Sequence, residues 1–345
     1  MPAFITVVIP ARDEAANLPA LLADLQKQNL PAAHFEVLVV DDHSTDSTPE
    51  IVRKTGGNIR LVNLAEHVTG PVTAYKKKAI EVAIAEARGS IIVTTDADCR
   101  VKTNWLQTIS NYFYEHDCEF LVMPVVIKEK EKFLHVFQSL DFMSMQGITG
   151  AAVHKKWHYM CNGANLAYLR QTFYDVNGFE GIDDIASGDD MLLMEKVAAK
   201  NKSAIHFLKD DAMIVETAAA PSLKAFIRQR ARWAGKAGHY NDSRITIVLL
   251  LVYALNVSLL LMPLAALLFR TPLTGSLTTF FFAWLSALTF KTIVEMIFLQ
   301  PVAKFFDRLQ LMKYFPLAQP FHIIYIALSG FLGLSGKQDW KGRKV

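Results

Sequence analysis

Residues 90–98 read Ser-Ile-Ile-Val-Thr-Thr-Asp-Ala-Asp. Ser90 to Thr95 is a β-branched run of the kind that forms a buried parallel strand, and it leads straight into Asp96-Ala97-Asp98. Two carboxylates flanking a small residue at a strand end can turn toward one point. Hard oxygen ligands there suit Mg2+ or Mn2+, which completes its shell with water and substrate phosphate. A helix N-cap or a solvated turn is the plainer reading, because a lone Asp-x-Asp often arises by chance.

The same alternation runs upstream. Phe4 to Ile9 is a continuous apolar run stopped by Pro10, and Glu14 to Lys27 places Leu18, Leu21, Leu22 and Leu25 at helical spacing. Phe35 to Val40 is the next strand and ends at Asp41-Asp42. Thr48 and Pro49 suit a helix start within Ser44 to Lys54. A short strand over Ile59 to Val62 and a helix over Val72 to Ala87 complete the pattern, with Gly89 as the stop. Strand and helix at this spacing predict a parallel sheet with helices on both faces. Ligands gather at the carboxyl ends of such strands, where Pro10-Ala11-Arg12, Asp41-Asp42 and Asp96-Ala97-Asp98 all fall.

The chain is 345 residues long, enough for one large domain and an appendage. Its composition divides it into a polar, charged part, residues 1–243, and an apolar part, residues 244–345. In the second part Thr246 to Phe269 is a strong candidate to cross a bilayer, which takes roughly 20 apolar residues. Thr279 to Leu299 is interrupted by Lys291 and Glu295, four apart on one helical face and able to pair inside a bundle. Leu317 to Leu334 is short and contains Pro320, so it reads as a third span or as a re-entrant or interfacial segment. The net charge of +3 gives no footprint for nucleic-acid binding, and the basic tail, Lys337 to Lys344, suits an anionic membrane surface. Cys99, Cys118 and Cys161 have no metal-ligand or disulfide spacing and are expected reduced and buried. The first strand is too brief for a signal peptide, which predicts a cytosolic polar part.

Two further signals carry chemistry. Asp189-Asp190 precedes the apolar run Met191-Leu192-Leu193. A carboxylate at a helix N-terminus is held ionised by the dipole, and a second acid beside it raises one pKa. The pair suits a general base for a hydroxyl, with helix capping as the plain alternative. Gln229, Arg232 and Trp233 share one face of a helix over Leu223 to Trp233. Arg232 there can grip phosphate and Trp233 can stack on an acceptor, or both can simply sit at lipid headgroups. Asp41 or Asp42 is placed to bond a nucleobase edge or ribose, while Asp46 or Ser47 caps the next helix.

Taken together these segments resemble family-two glycosyltransferases of GT-A fold, similar to cellulose-synthase-like enzymes and to those that glycosylate ceramide, hopanoids and carotenoid acids. The resemblance rests on Pro10-Ala11-Arg12-Asp13-Glu14, Asp41-Asp42-x-Ser44-x-Asp46-x-Thr48, and Lys78-Ala79 ahead of Ala87-x-Gly89. It continues through Thr95-Asp96-Ala97-Asp98, Asn162-Gly163-Ala164-Asn165, Gly188-Asp189-Asp190 and Gln229-x-x-Arg232-Trp233. It implies a Rossmann-like mixed α/β sheet followed by transmembrane helices, and inverting transfer from a nucleotide-sugar, usually a UDP-sugar, to a hydroxyl. Asp41 and Asp42 would meet the nucleobase, Asp96 and Asp98 the diphosphate and metal, and Asp190, beside Asp189, would be the base. Pro10, Arg12, Glu14, Lys78, Gly163, Asn165, Gln229, Arg232 and Trp233 would line the substrates.

Many membrane relatives carry Glu-Asp where this chain has Asp189-Asp190, and polymer-making relatives usually carry more spans. The closing Trp340-Lys341-Gly342-Arg343 also resembles the tail of lipid-glycosylating relatives. The expected acceptor is therefore a membrane lipid, with a processive polysaccharide synthase and an inactive membrane scaffold as alternatives. Three full crossings from a cytosolic domain would leave the basic tail outside, against the positive-inside rule. That argues for Leu317 to Leu334 not crossing, in a multi-pass protein of the cell's inner membrane.

Overall fold

The computed structural model describes residues 3–70, 72–128, 132–157, 160–185, 187–235, 242–268, 277–333, 339–340 and 343–344. The alternately charged Lys128 to Lys132 segment and the Trp340 to Arg343 tail lie partly outside them. The chain forms two compact units, residues 1–128 with 148–218, and residues 129–147 with 219–345.

The first unit opens with β1 (Ile5–Ala11), α1 (Leu18–Gln26), β2 (Phe35–Asp41), α2 (Thr48–Thr55), β3 (Ile59–Asn63), α3 (Tyr75–Glu86) and β4 (Ile91–Thr94). These four strands are mutually parallel in the order β3-β2-β1-β4. Every residue of β2 is buried, as expected of a strand covered on both faces, whose continuous apolar run shows no alternation. Gly89 sets the turn into β4: a Cβ there would lie 2.5 Å from the Thr6 amide nitrogen, so only glycine lets the chain pass β1 this closely.

Downstream come α4 (Trp105–Glu115), β5 (Phe120–Val122), β6 (Val125–Lys128), α5 (Phe133–Lys155), β7 (Leu166–Leu169), α6 (Arg170–Asp175), α7 (Met191–Lys200), β8 (Ile205–Phe207) and β9 (Val215–Ala218). Among the described residues the main sheet has seven strands, β3-β2-β1-β4-β7-β5-β8, and β7 runs antiparallel to both β4 and β5. Strand and helix spacing upstream predicted only the parallel half. The antiparallel β7 is a four-residue strand reached through a long helix, and no local pattern announces its direction. β1 has β2 on one side and β4 on the other, so the chain reverses its winding there and a crevice opens at their carboxyl ends.

The second unit contains α5 up to Gly147, α8 (Leu223–Ala234), α9 (Ser243–Leu268), α10 (Leu277–Phe305) and α11 (Phe315–Gly333). Among the described residues three of its segments are long and apolar enough to cross a membrane: Ser243–Ala265, Thr279–Phe305 and Leu309–Gly333. Their outer faces are bare hydrocarbon, with Phe290 71% and Leu251 65% exposed. Pro263 lies inside α9 without ending it. The predicted pairing holds: Lys291 is 2.8 Å from Glu295 and donates to Gln319 at 2.7 Å. α11 is the most covered of the three, because Gln319, Tyr325 and Ser329 turn a polar face inward.

That face meets a buried ion pair. Arg230 on α8 donates to Asp141 on α5 at 2.7 Å, with both side chains 4% exposed. The Tyr325 hydroxyl donates to the other Asp141 oxygen, and the Phe226 and Trp233 rings flank the guanidinium at 4.8 and 4.3 Å. Removing one partner of such a pair strands a buried charge, whereas removing both does not. Asp141→Ala is therefore expected to cost about 3–5 kcal/mol and Asp141→Ala with Arg230→Met far less. Thermal unfolding in detergent checks this; equal melting of the single and double variants would contradict it.

Candidate active site

The loops after β1 and β2 are stapled to each other. Ser44 Oγ accepts the Asp13 amide at 3.0 Å, Thr48 Oγ1 the Glu14 amide at 2.9 Å, and Asp46 Oδ2 the Ala15 amide at 2.9 Å. Asp13 returns the bond through Oδ1 to the Thr45 amide at 2.7 Å. The alternate polar residues of the Ser44 to Thr48 segment thus hold the Asp13 to Ala15 backbone. Asp46 Oδ1 also accepts the Thr48 amide at 3.0 Å from just ahead of α2, whose N-cap position is Ser47 and carries no side-chain cap bond.

Within this frame Asp41 ends β2 and Asp42 follows it; they are 9% and 3% exposed. Arg12 donates to the Asp42 carbonyl at 3.1 Å and stands 3.9 Å from its carboxylate. Pro10 lies in β1 opposite Val40 of β2, and Glu14 begins the turn into α1.

Asp96 and Asp98 follow β4, across β1 from Asp41. Burial pushes the Asp98 carboxyl up to about 6, with the negative charges of Asp96 and Glu14 adding to it. Its Oδ2 accepts the Thr217 hydroxyl at 3.3 Å. Among the described residues no group of three or more His, Cys, Asp or Glu converges as a metal cage. Two crowded carboxylates nonetheless fit Mg2+ or Mn2+, which binds through one or two acids plus phosphate and water.

Lys76, absent from the sequence expectations, joins this pair to the other acids. Its ammonium is 2.8 Å from Asp96 Oδ1 and 3.2 Å from Asp189 Oδ2. Burial works against its charge, but Asp189 and Asp96 outweigh that and hold its pKa above the usual lysine range. Lys78, expected on the substrate, pairs instead with Glu81 at 2.8 Å one turn along α3. The signal that separates them is helix phase: Lys76, Lys77 and Lys78 point about 100° apart, and only the first faces the strand ends.

Asp190 is the N-cap of α7, accepting the Met191 amide at 2.7 Å through Oδ1. Its Oδ2 accepts the Gly163 amide at 3.0 Å. Capping and base readings are compatible, since each carboxylate oxygen carries a second lone pair. Gly163 lies close beneath the bridge: a Cβ there would sit 3.0 Å from Asp189 Oδ2 and 3.4 Å from the Lys76 ammonium, so a side chain would press the Asp189 carboxylate by a few tenths of an ångström. Asn165 is fully buried. Its amide accepts from Trp105 at 3.0 Å and donates to the Pro124 and Met213 carbonyls at 2.8 and 2.7 Å. Any effect of Asn165 on a substrate runs through the loop it braces. Gln229, Arg232 and Trp233 lie on α8 of the second unit, half-buried, with the Trp233 ring against Arg230 and Phe142. All three cysteines are free, two buried and Cys161 half-buried.

Residues 6–176 match the family model described as Glycosyl transferase family 2. Over 122 residues the chain is 31% identical to the poly(ribitol-phosphate) beta-N-acetylglucosaminyltransferase TarS of Staphylococcus aureus, covering 35% of this chain and 20% of that protein. Over 131 residues it is 26% identical to the beta-monoglucosyldiacylglycerol synthase of Nostoc, covering 38% and 28%. A mannosyltransferase of Pyrobaculum calidifontis, solved with GDP-Man and Mn2+, superposes with a TM-score of 0.52 at 18% identity over 96% of this chain and 88% of its own. The chain carries a glycosyltransferase family 2 domain. Its seven-stranded mixed sheet is the Rossmann-like GT-A fold, and its matches span under a third of these two curated relatives.

The Asp98 shift fixes a pH dependence. A folded pKa of about 6 lies above the unfolded value near 3.9, so folding takes up a proton between them. The associated stability is present below about pH 4 and lost as pH rises through about 6. With EDTA present, Asp98→Asn is expected to melt above wild type beyond pH 6 and level with it below pH 4. A difference independent of pH in thermal melts would count against the crowded carboxylate.

Proposed function

We propose that the chain is an inverting glycosyltransferase that moves a sugar from a nucleotide-sugar, a UDP-sugar first, to a hydroxyl of a membrane-held acceptor. The observation that carries this reading is the Lys76 bridge. It ties the acids after β4, which suit a diphosphate and its metal, to Asp189 beside the α7 N-terminus, which suits a base. Residues 1–243 are read as the catalytic part and residues 244–345 as the membrane part, with catalysis on the cytosolic face of the inner membrane.

In this reading Asp41 and Asp42 take the nucleobase and ribose, with Arg12 fixing the loop that carries them. Asp96 and Asp98 would hold Mg2+ or Mn2+, which when bound neutralises charge on the departing diphosphate. Asp190 takes the proton of the acceptor hydroxyl as its oxygen attacks the anomeric carbon. The bond to the nucleoside diphosphate breaks on the opposite face and its electron pair leaves with the diphosphate, inverting the centre. The two amide bonds to Asp190 fix its oxygens before the acceptor arrives, so little reorganisation accompanies reaction. Arg232 and Trp233 are assigned to the acceptor.

A lipid acceptor is favoured by the three apolar helices and by the likeness to a protein named as a glucosyldiacylglycerol synthase. The likeness to TarS, named for a polymer acceptor, keeps polymer glycosylation as the second reading. A panel of UDP- and GDP-sugars with Mn2+ is expected to give release of one nucleoside diphosphate. On that donor, Asp190→Asn is expected to lower turnover by about 10²- to 10⁴-fold with donor affinity kept. Turnover equal to wild type would remove Asp190 from the role of base.

A further inference from the structure

Three consecutive lysines open α3, and each has a different fate. Lys77 turns inward, 2% exposed, and donates to the Ile182 and Ile185 carbonyls at 2.5 and 2.8 Å. Lys78 turns outward to Glu81. Lys76 lies between Asp96 and Asp189, about a quarter exposed. It sits in the first turn of α3, where the helix dipole opposes a positive charge and no acidic residue of that turn offsets it. The acids across the crevice are what hold it there. The Asp189 end of the bridge lies against Gly163, where a methyl group would come within 3.0 Å of Asp189 Oδ2.

One oxygen is therefore claimed twice. Asp96 Oδ1 accepts the ammonium at 2.8 Å, and Asp96 is also half of the two-carboxylate set read as the metal pair. An ammonium and a divalent ion cannot both lie against one carboxylate without strong repulsion at this separation. Lys76 has a second seat, Asp189 at 3.2 Å, and does not have to leave the crevice to vacate the first.

We propose that Lys76 is a resident counter-cation that occupies Asp96 in the metal-free protein and shifts onto Asp189 when a divalent ion binds. The inference rests on the reading of Asp96 and Asp98 as the metal pair. Lys76 keeps the acidic crevice neutralised while no metal is present, at the expense of metal affinity. After the exchange the charge of Asp189 is matched by Lys76, and Asp190 is the neighbouring carboxylate that takes the proton. Metal loading at the end of β4 is thereby coupled to the charge state beside the base on α7. Lys76 acts here as a positioning residue.

The test is Mn2+ affinity of the purified full chain without donor, by electron paramagnetic resonance or calorimetry. Lys76→Met removes the competitor and is expected to tighten Mn2+ binding about tenfold. Asp189→Asn takes away the second seat and is expected to weaken it about fivefold when Lys76 is present, and by at most about twofold in the Lys76→Met background. Lys76→Arg keeps the charge and should stay near wild type. Metal-free melting curves establish that each variant folds; should Lys76→Met not fold, Lys76→Gln serves with the same expected direction. The exchange is overturned if Lys76→Met binds Mn2+ no tighter than wild type, or if Asp189→Asn weakens both backgrounds equally. Those results leave the metal pair standing, whereas a wild-type chain that binds no Mn2+ overturns the metal reading and the exchange together.

Discussion

The ammonium of Lys76, 2.8 Å from Asp96 and 3.2 Å from Asp189, answers a constraint that the sheet itself creates. Parallel strands end on the same side, so the polar residues that terminate β1, β2 and β4 are delivered to one crevice. Here those residues are mostly acids, and α7 brings two more. Burial raises the Asp98 carboxyl to about 6, and the negative charges of Asp96 and Glu14 beside it add to the shift. Lys76 supplies one charge from the protein, and a divalent ion would supply the rest. The stapling of the Asp13 to Ala15 backbone by Ser44, Asp46 and Thr48 keeps two of the acid-bearing loops from springing apart.

The second unit solves a different charge problem. Arg230 and Asp141 are buried together, with two aromatic rings against the guanidinium and a tyrosine hydroxyl on the carboxylate. Such a pair is weak evidence for net stability but strong evidence for a fixed arrangement, because neither partner tolerates losing the other. It fixes α8, which also carries Gln229, Arg232 and Trp233. The same unit holds Lys291, Glu295 and Gln319 as a closed polar set, so the ionisable residues that interrupt α10 serve packing within a helix long enough to span.

Much of this was legible in the sequence, for reasons that can be named residue by residue. Buried parallel strands write themselves as unbroken apolar runs, so β1, β2 and β4 and the acids at their ends could be read directly. The α8 helix came from amphipathic spacing, and the long apolar helices from composition alone. What local pattern could not show was pairing in space. The direction of β7 depends on what it meets after the long α5. Asn165 looks like a ligand residue because it stands in a polar motif, yet its amide is consumed by Trp105, Pro124 and Met213. Lys76 and Lys78 differ only in helix phase relative to a strand end more than fifteen residues away in sequence. Arg230 with Asp141 is a contact across 89 positions, invisible to any window.

One crevice, built by strand ends and α7, is proposed to pass a sugar to an acceptor held at a membrane. The most direct measurement reconstitutes the full chain in phospholipid vesicles and supplies radiolabelled UDP-sugars with Mn2+. The vesicles are then extracted with organic solvent. Label moving into the organic phase as a single glycosylated lipid, with one UDP released per sugar transferred, is the predicted result. Label that stays wholly with unreacted donor, or that appears only in high-molecular-weight polymer, would contradict it.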